Sequence, residues 1–297
     1  MDYRKSVFIA MNYISLHLDD NPTFAKVADV AALSPFHFHR IFKAVTGETI
    51  ACFTRRLRLE RIARSLVDDS NNNVTHLAFQ YGYSSSQNFA KVFRRHFGCS
   101  PSEYRQRRTA DNNRKIGNAI IARTGYDRST LYWDYGAGAL EARMAIKIIP
   151  ARHVVFMRQM GTYGKENCET AHAELLALLG REPLLHPVGT VSLYWDLPEI
   201  TAAGYGRTDI CLDVSPCMTL SRHLATQHIA GGTYAVCSFS PLSAAKISQA
   251  WELAFLWLAA LGWEYSVLPC YELYHCGTDP QRDHYIVDIY IPLIKAR

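Results

Sequence analysis

The amino-acid sequence predicts a protein of two domains, an all-α domain at the N-terminus and an α+β domain at the C-terminus. The chain has 297 residues, about twice the usual length of one domain. Its charge is uneven, because residues 1–115 have a net charge of +8 and residues 116–297 a net charge of −3. Each half also contains an internal repeat, helical in the first half and of strands and helices in the second. We therefore expect domains at 1–108 and 143–297, joined by a linker at 109–142.

The composition limits the class of protein. Hydrophobic residues make up 48% of the chain and charged residues 20%, which excludes a disordered, collagen-like or coiled-coil protein. The longest apolar stretch, residues 254–263, is about half as long as a membrane helix, and the N-terminal segment lacks the pattern of a secretion signal. The cysteines form no Cys-x-x-Cys pair. These features predict a soluble cytoplasmic protein that has no membrane contact and binds neither a metal nor a cofactor.

The N-terminal third contains the same helical pattern twice. Apolar faces are predicted at Phe38, Ile41, Phe42 and Val45, and again at Phe89, Val92, Phe93 and His96. Each of these helices begins at a serine and ends at a glycine, and a shorter helix with a central alanine, Ala28 or Ala78, precedes it. Two helices that meet at a small residue are typical of a helix-turn-helix unit. The repeat therefore predicts two such units in tandem, joined by an arginine-rich helix.

The outward faces of the two longer helices are basic and contain no acidic residue. Opposite the apolar faces lie Phe36, His39, Arg40 and Lys43 on the first helix, and Gln87, Lys91 and Arg94 on the second. Arginine, lysine and glutamine side chains bind base edges or phosphates, and an aromatic ring packs on a thymine methyl group. A face that is merely solvated usually has glutamate as well as lysine. We therefore expect both faces to contact double-stranded DNA.

Three segments of this domain resemble the DNA-binding domain of the AraC/XylS transcription regulators. They are SPFHFHRIFKAVTG, RLRLERIARSL and YGYSSSQNFAKVFRRHFGCSPSEYR. The resemblance places base-facing positions at Phe36, His39 and Arg40 in the first recognition helix, and at Ser86, Gln87 and Lys91 in the second. It also implies a rigid linking helix that lets one chain enter two adjacent major grooves, about 34 Å apart. The arginines of that helix are candidates for phosphate contacts or for ion pairs with Glu60: Arg55, Arg56, Arg58, Arg61 and Arg64.

The second half of the chain contains a strand–helix–strand unit twice. The first copy is MAIKIIPARHVVFMRQM, ETAHAELLALLG and TVSLYWDLP, and the second is HLATQHIAGGTYAVCSF, AAKISQAWELAFLWLAALGW and PCYELYHCGTDP, followed by a last strand, YIVDIYIPLI. Such a duplication predicts an antiparallel sheet with pseudo-twofold symmetry and with helices on one face. We expect a ligand in the cleft between the two copies.

Glu272 is the most informative residue of the predicted cleft. Strand alternation places Glu272 and Tyr274 on one face, and the repeat places Trp195 at the position equivalent to Glu272. A carboxylate among aromatic rings attracts a cation, and each ring adds about 0.5–2 kcal/mol. The alternative is an ordinary solvated glutamate on an edge strand. The candidate ligand residues are Glu272, Tyr274, Trp195, Tyr194, Tyr163 and Trp251, although most aromatic residues of the helix around Trp251 are expected in the core.

Residues 145–295 resemble the GyrI-like effector-binding domain, in GTY near Gly161 and in YWDLP, AWELAFLWL, YELY and IYIPL. The resemblance places the effector carboxylate of that family at Glu272 and implies a lipophilic cation as effector. With the AraC-type domain in front, this is the domain order of Rob-type regulators. It implies a transcription regulator rather than an enzyme, with DNA, a small effector and RNA polymerase as partners.

Two alternatives remain open for the C-terminal domain. Some GyrI-like domains resemble small-molecule hydrolases, in which Glu272 would activate water with the help of Tyr274, Tyr163 or His153. The sequence has no nucleophile elbow, catalytic triad or metal set that would support this reaction. The other alternative is a domain that acts on a protein partner without any ligand.

Overall fold

The computed structural model describes residues 3–68, 72–108, 130–134, 139–179, 189–214, 224–261, 263–276 and 278–294. The chain divides into two compact units, Met1–Ile116 and Gly117–Arg297. The first is helical and the second is built on an antiparallel sheet, so the predicted fold class is confirmed. Within the described ranges, no helix is long and apolar enough to cross a membrane. Nor do the described His, Cys, Asp and Glu side chains form a group of three or more that could hold a metal ion.

The N-terminal unit contains the two predicted helix-turn-helix units. Its helices are α1 (Arg4–Leu16), α2 (Phe24–Val30), α3 (Pro35–Thr46), α4 (Ile50–Asp68), α5 (Val74–Gln80), α6 (Ser86–Phe97) and α7 (101–108). Helices α2 and α3 form the first helix-turn-helix unit, and α5 and α6 form the second. The linking helix α4 contacts α1 and α3 on one side of the junction and α5 on the other.

The two helix-turn-helix units fold for the same local reasons. The aromatic residues of the two apolar faces are fully buried: Phe38, Phe42, Phe89 and Phe93. Ala28 and Ala78 are also fully buried, which allows the shorter helices to pack closely. The Ser85 hydroxyl accepts a backbone hydrogen bond of 3.2 Å and caps α6. Gly47 and Gly98 end α3 and α6 in the left-handed conformation, which costs residues with a Cβ about 1–2 kcal/mol.

The C-terminal unit is a twisted antiparallel sheet with two long helices. Its elements are β1 (Thr130–Asp134), β2 (Ala139–Ile149), β3 (Arg152–Gly161), α8 (Lys165–Leu179), β4 (Thr190–Tyr194), β5 (Gly206–Asp213), β6 (Ala225–Ile229), β7 (Gly232–Leu242), α9 (Ile247–Leu261), β8 (Glu264–Tyr265), β9 (Cys270–Tyr274) and β10 (Tyr285–Ile294). The strand order is β1-β2-β7-β10-β9-β4-β5-β3-β6, and β8 pairs with β10.

Two strands lie within the segment that the sequence predicts as a linker. Strand β1 and the first residues of β2 pair with each other there. The strand pattern begins before residue 143 because Leu140, Ala142 and Met144 alternate into the core of the sheet, where each is at most 4% exposed. The other residues of the predicted linker, 109–129 and 135–138, lie outside the described residues.

The sheet confirms the internal duplication. One copy consists of β2, β3, α8, β4 and β5, and the other of β6, β7, α9, β9 and β10. The first strand of each copy pairs with the second strand of the other copy, as β2 does with β7 and β6 with β3. Strands β4 and β9 pair at the centre of the sheet, where the two copies meet.

Both long helices pack on the same face of the sheet. Helix α9 packs in a cluster with Cys237 and Ile289, and α8 packs in a cluster with Val155 and Leu212. Glu272 lies directly opposite Ile289 in the pairing of β9 with β10, so its side chain is on this helix-covered face. The predicted ligand carboxylate therefore points into the layer between sheet and helices.

Candidate DNA-binding surface and ligand site

The predicted DNA-contacting residues of α3 lie on its exposed side. Phe36 is 76% exposed, which is unusual for a phenylalanine in a folded domain. His39, Arg40 and Lys43 are also exposed. The guanidinium carbon of Arg40 lies 5.9 Å from the centroid of the Phe36 ring, so the two side chains form a cation–π pair. The exposed side of α3 thus presents aromatic and basic groups next to one another.

Helix α6 presents a second basic surface. Gln87, Lys91 and Arg94 are exposed, and Ser86 at the first turn is half-buried. The last turn adds a further basic group at Arg95, whereas His96, which was predicted on the apolar face, is exposed and has a pKa that partial burial lowers. Neither α3 nor α6 contains an acidic residue. We call these two groups of residues the two basic stripes: Phe36, His39, Arg40 and Lys43 on α3, and Ser86, Gln87, Lys91 and Arg94 on α6.

The arginines of α4 differ in their availability to DNA. Arg55 is exposed, whereas Arg56 is only 6% exposed. Arg56 donates hydrogen bonds to the carboxylates of Glu48 at 2.6 Å and Glu60 at 3.4 Å, so it forms the ion pair with Glu60 that the sequence left open. Arg56 is therefore not a phosphate ligand.

The other arginines of α4 are less exposed than Arg55. Arg58, Arg61 and Arg64 are half-buried. Arg58 and Arg61 donate hydrogen bonds to Asn21 and Ser15 of the protein itself. These contacts make Arg58 and Arg61 less available to bind phosphates, and the sequence did not indicate them.

Glu272 is buried in the C-terminal unit and accepts three hydrogen bonds. It is 1% exposed, so the alternative of a solvated glutamate on an edge strand is wrong. The hydroxyl groups of Tyr194 and Tyr274 donate to Oε2 at 2.6 and 2.7 Å, and the indole of Trp251 donates to Oε1 at 2.6 Å. Four of the six predicted ligand residues thus meet at one carboxyl group.

Burial and hydrogen bonding act in opposite directions on this carboxyl group. Burial raises the pKa of Glu272 from the ordinary value, because the charged form loses its hydration. The three hydrogen bonds from Tyr194, Trp251 and Tyr274 favour the charged form and lower the pKa, but by less than burial raises it. The donors are all neutral groups, so they leave the negative charge of the carboxylate uncompensated.

Aromatic rings extend the site away from Glu272. The ring of Tyr194 meets the ring of Trp251 edge to face, with centroids 5.9 Å apart, and the ring of Tyr163 with centroids 5.4 Å apart. The Tyr163 hydroxyl donates a 2.6 Å hydrogen bond to the backbone carbonyl of Asp196, which fixes the ring. Tyr163 therefore joins the predicted site through ring contact with Tyr194 rather than through Glu272.

Trp195 lies in a different cluster from Glu272. Its indole donates a 2.7 Å hydrogen bond to Asp209, and the guanidinium groups of Arg158 and Arg207 lie 5.2 and 5.6 Å from its ring. Asp209 is paired with Leu193, the neighbour of Ser192, so this cluster is on the face opposite Glu272. The sequence prediction placed Trp195 beside the carboxylate because it aligned Tyr194–Trp195 of the first copy with Tyr271–Glu272 of the second.

Ser192 is the symmetry partner of Glu272. The two residues face each other in the register of β4 and β9, at the centre of the duplicated sheet. The segments SLY (192–194) and ELY (272–274) match when the two copies are aligned in this way. The prediction that Trp195 occupies the equivalent position is therefore wrong, and this alignment was the signal in the sequence that would have identified Ser192.

Cys168 is a second residue that the sequence analysis missed. It lies on α8 and interacts with Ser192 and Glu272, and burial raises the pKa of its thiol to about 11. The thiol is therefore protonated at neutral pH. The helical spacing of Cys168 with the buried Ala171 and Leu175 was the signal for its inward position. Both helices of the duplicated domain thus contribute side chains near Glu272.

Comparisons with known proteins assign a family to each unit. Residues 27–107 match the model of a helix-turn-helix domain, and residues 143–294 match the model of the GyrI-like small molecule binding domain. In the N-terminal part, the chain is 43% identical over 94 residues to the HTH-type transcriptional activator RhaS of Escherichia fergusonii, covering 32% of this chain and 34% of that protein. It is 30% identical over 105 residues to the uncharacterized HTH-type transcriptional regulator YbfP of Bacillus subtilis, covering 35% of each chain.

These matches are partial. The chain spans about a third of the length of the two curated relatives. Among solved structures, the C-terminal domain of EcmrR matches 52% of this chain and 99% of its own length, with 16% identity and a TM-score of 0.42. The GyrI-like match covers half of the chain and follows the helix-turn-helix match. The chain therefore belongs to the family of the GyrI-like small molecule binding domain, here preceded by a helix-turn-helix domain.

Proposed function

We propose that the protein is a sequence-specific transcription regulator that reads two successive major grooves with α3 and α6. Its C-terminal domain binds a lipophilic cation against Glu272, and the bound cation changes the activity of the regulator. The observation that supports the DNA-binding part most strongly is the pair of basic stripes, both exposed and both free of acidic residues.

The two basic stripes have the composition that major-groove recognition needs. Arg40 and Lys91 have the chemistry to bind guanine edges or phosphates, Gln87 to pair with adenine, and the exposed ring of Phe36 to pack on a thymine methyl group. Acidic groups are absent from both helices, so no carboxylate within α3 or α6 repels a phosphate. The net charge of +8 over residues 1–115 adds long-range attraction to the same partner.

The chemistry around Glu272 favours a cation as the small-molecule ligand. A desolvated carboxylate with three neutral donors gains when a positive charge approaches, and neighbouring aromatic rings add cation–π attraction. An anionic ligand would meet an uncompensated negative charge. The family assignment supports small-molecule binding in general, and the buried carboxylate supports the narrower choice of a lipophilic cation.

The DNA-binding part is tested by charge removal from the two stripes. A duplex selected from a random pool by the full chain serves as the probe in anisotropy titrations between about 50 and 200 mM salt. The double variant Arg40→Ala/Lys91→Ala should weaken binding at least about tenfold and lower the salt slope by as much as about 2. The matched control is Arg143→Ala/Lys147→Ala, which removes two exposed charges from β2 of the other unit. Equal affinities and slopes for the two double variants would contradict the proposal.

A further inference from the structure

Two half-buried arginines of α4 donate hydrogen bonds to other parts of the N-terminal unit. Arg58 and Arg61 lie three residues apart and therefore on the same side of the helix. Burial is the main cause that lowers the pKa of both guanidinium groups from the ordinary value of 12.5, which indicates that both are partly withdrawn from water. This side of α4 lies between the two helix-turn-helix units.

Arg58 connects a loop of the first unit with the turn of the second. Its guanidinium donates a 2.6 Å hydrogen bond to Oδ1 of Asn21, in the loop before α2. A Cβ placed on Gly82, in the turn between α5 and α6, would lie 2.9 Å from the same oxygen and 3.5 Å from the guanidinium. The turn therefore approaches the Asn21–Arg58 pair so closely that only a glycine fits without displacing it. Asn21 and Gly82 both have positive φ angles, of 48° and 81°, which these residue types tolerate.

Arg61 forms a second connection of the same kind one turn further along. Its guanidinium donates a 3.1 Å hydrogen bond to the carbonyl of Ser15 at the end of α1. It also interacts with the hydroxyl of Tyr81, which interacts in turn with Asp19 of the first unit. Tyr81 is only 4% exposed, and burial is the largest cause that raises its pKa to about 12, so its hydroxyl remains neutral. Two residues of α4 thus each join the first unit to the turn of the second.

We infer that Arg58 and Arg61, together with Asn21, Tyr81 and Gly82, form a seam that fixes the two helix-turn-helix units at one relative angle and separation. The inference rests on the proposed reading of two major grooves. A fixed separation makes the protein selective for one spacing between the two halves of its DNA site. The seam therefore determines how many base pairs separate the two halves of the site, although the protein does not contact those base pairs.

The physical reason for spacing selectivity is the geometry of B-form DNA. One base pair inserted between the two halves rotates the second half by about 35° and moves it by about 3.4 Å. A rigid pair of recognition helices cannot follow this displacement without losing base contacts or straining the seam. Two recognition helices that are less rigidly connected can adjust to the displaced second half of the site and lose less affinity. The loss of affinity caused by the insertion therefore measures how rigidly the seam holds the two helix-turn-helix units.

The test compares the seam variants Asn21→Gly and Arg58→Ala with wild type on two duplexes. One duplex is the site selected by the wild-type chain, and the other has one base pair inserted between its halves. Asn21→Gly removes the acceptor of Arg58 while keeping a residue that tolerates the positive φ angle. Arg55→Ala is the control, because it removes an exposed arginine from the same helix. Each duplex is titrated at several salt concentrations with the full chain.

In wild type the insertion should lower affinity at least about tenfold. Both seam variants should reduce this penalty by about threefold or more, with the salt slope unchanged. Arg55→Ala should keep the full penalty. The seam is overturned if the seam variants keep the wild-type penalty, or if Arg58→Ala lowers the salt slope by about 1 as a lost phosphate contact does. If no duplex is selected at all, the proposed function itself fails; if wild type tolerates the insertion, only the seam fails.

Discussion

Glu272 shows how a single buried carboxyl group links stability to ligand binding. Burial raises its pKa in the folded protein, so between the unfolded and folded pKa values the folded state binds more protons than the unfolded state. The free energy of unfolding therefore decreases as the pH rises through this range. Above this pH range the carboxyl group is charged and is destabilised by the loss of its hydration. A bound cation would reduce this loss of free energy. Under the proposed function, the carboxylate that destabilises the unliganded domain when it is charged is also the group that attracts the cation.

The pH dependence of cation binding follows from the same shift. Only the charged form of Glu272 attracts a cation, so the affinity for methyltriphenylphosphonium should be highest at pH values above the raised pKa of this carboxyl group. It should decrease about tenfold per pH unit below the raised pKa, and this decrease should begin at a pH above 4.5, the ordinary value for glutamic acid. Calorimetric titration of the full chain at a series of pH values measures this profile.

The matched substitutions for this prediction are Glu272→Gln and Glu264→Gln. Glu272→Gln should lose at least about tenfold in affinity and should show no pH dependence in the acid range. Glu264 is exposed in β8, so Glu264→Gln should bind as wild type does. The neutral molecule triphenylphosphine oxide should bind wild type and Glu272→Gln equally. A wild-type pH profile in the Gln variant would show that another group attracts the cation, and loss of turnover without loss of binding would favour the hydrolase alternative.

Sequence reasoning located Glu272 and its partners Tyr194, Trp251 and Tyr274, but not the residue that faces it across the neighbouring strand. Strand alternation within β9 was enough to place Glu272 and Tyr274 on one face, because this pattern is local. The symmetry partner of Glu272 depends on the register between β4 and β9, which lie far apart in sequence, and Ser192 was therefore missed. Trp195 was placed at the site for the same reason, although its indole binds Asp209 on the other face.

At the scale of elements, the junction of α3 and α4 depends on one buried ion-pair network. Arg56 on α4 is enclosed by Glu48 from the α3–α4 turn and by Glu60 from the next turn of α4. Its guanidinium carbon also lies 5.3 Å from the ring centroid of Phe53. Removal of the arginine would leave two largely buried carboxylates without their cation, and such a loss is costly in a low-dielectric environment.

Arg56→Ala should therefore lower the free energy of unfolding of the N-terminal unit by about 3–5 kcal/mol. The neighbouring variant Arg55→Ala should change it by at most about 0.5 kcal/mol, because that side chain is exposed. Urea unfolding of the full chain, followed by circular dichroism at a helix wavelength, measures both values. A loss of DNA affinity in Arg56→Ala without a loss of stability would contradict the ion-pair role and favour a phosphate contact.

The elements themselves were largely predictable, whereas the contacts between them were not. Helices α3 and α6 follow from apolar spacing and glycine ends, which are signals within one element. A serine cap adds to this in α6, whereas Ser34 makes no capping hydrogen bond to α3. The roles of Arg56, Arg58 and Arg61 depend on partners in other elements. The sequence shows five arginines on one helix but not which of them meet Glu48, Asn21 or Tyr81. The start of β2 before residue 143 was also missed, although Leu140, Ala142 and Met144 alternate into the core and the pairing partner there, β1, is close in sequence.

At the scale of the whole molecule, each unit has its own hydrophobic core and its own ligand chemistry. A cation bound at Glu272 affects DNA binding only if it binds more tightly to one state of the protein than to another. Glu272 is buried at the centre of the sheet, where β4 and β9 of the two copies meet. A cation that stabilises the buried charge of Glu272 would favour the state of the domain that binds the cation more tightly.

Thermodynamic linkage makes the coupling between the two units measurable without knowledge of the states. If saturating methyltriphenylphosphonium changes the dissociation constant for the selected duplex by some factor, saturating duplex must change the dissociation constant for the cation by the same factor. For a regulator that responds through DNA affinity, we expect a factor of about 5 to 150. Anisotropy titrations give the first value and calorimetry gives the second. Glu272→Gln should reduce both factors to one while keeping the affinity for DNA. Two unequal factors would reveal a second cation site, and a factor of one in wild type would show that the ligand acts through a protein partner, such as RNA polymerase, instead of through DNA affinity.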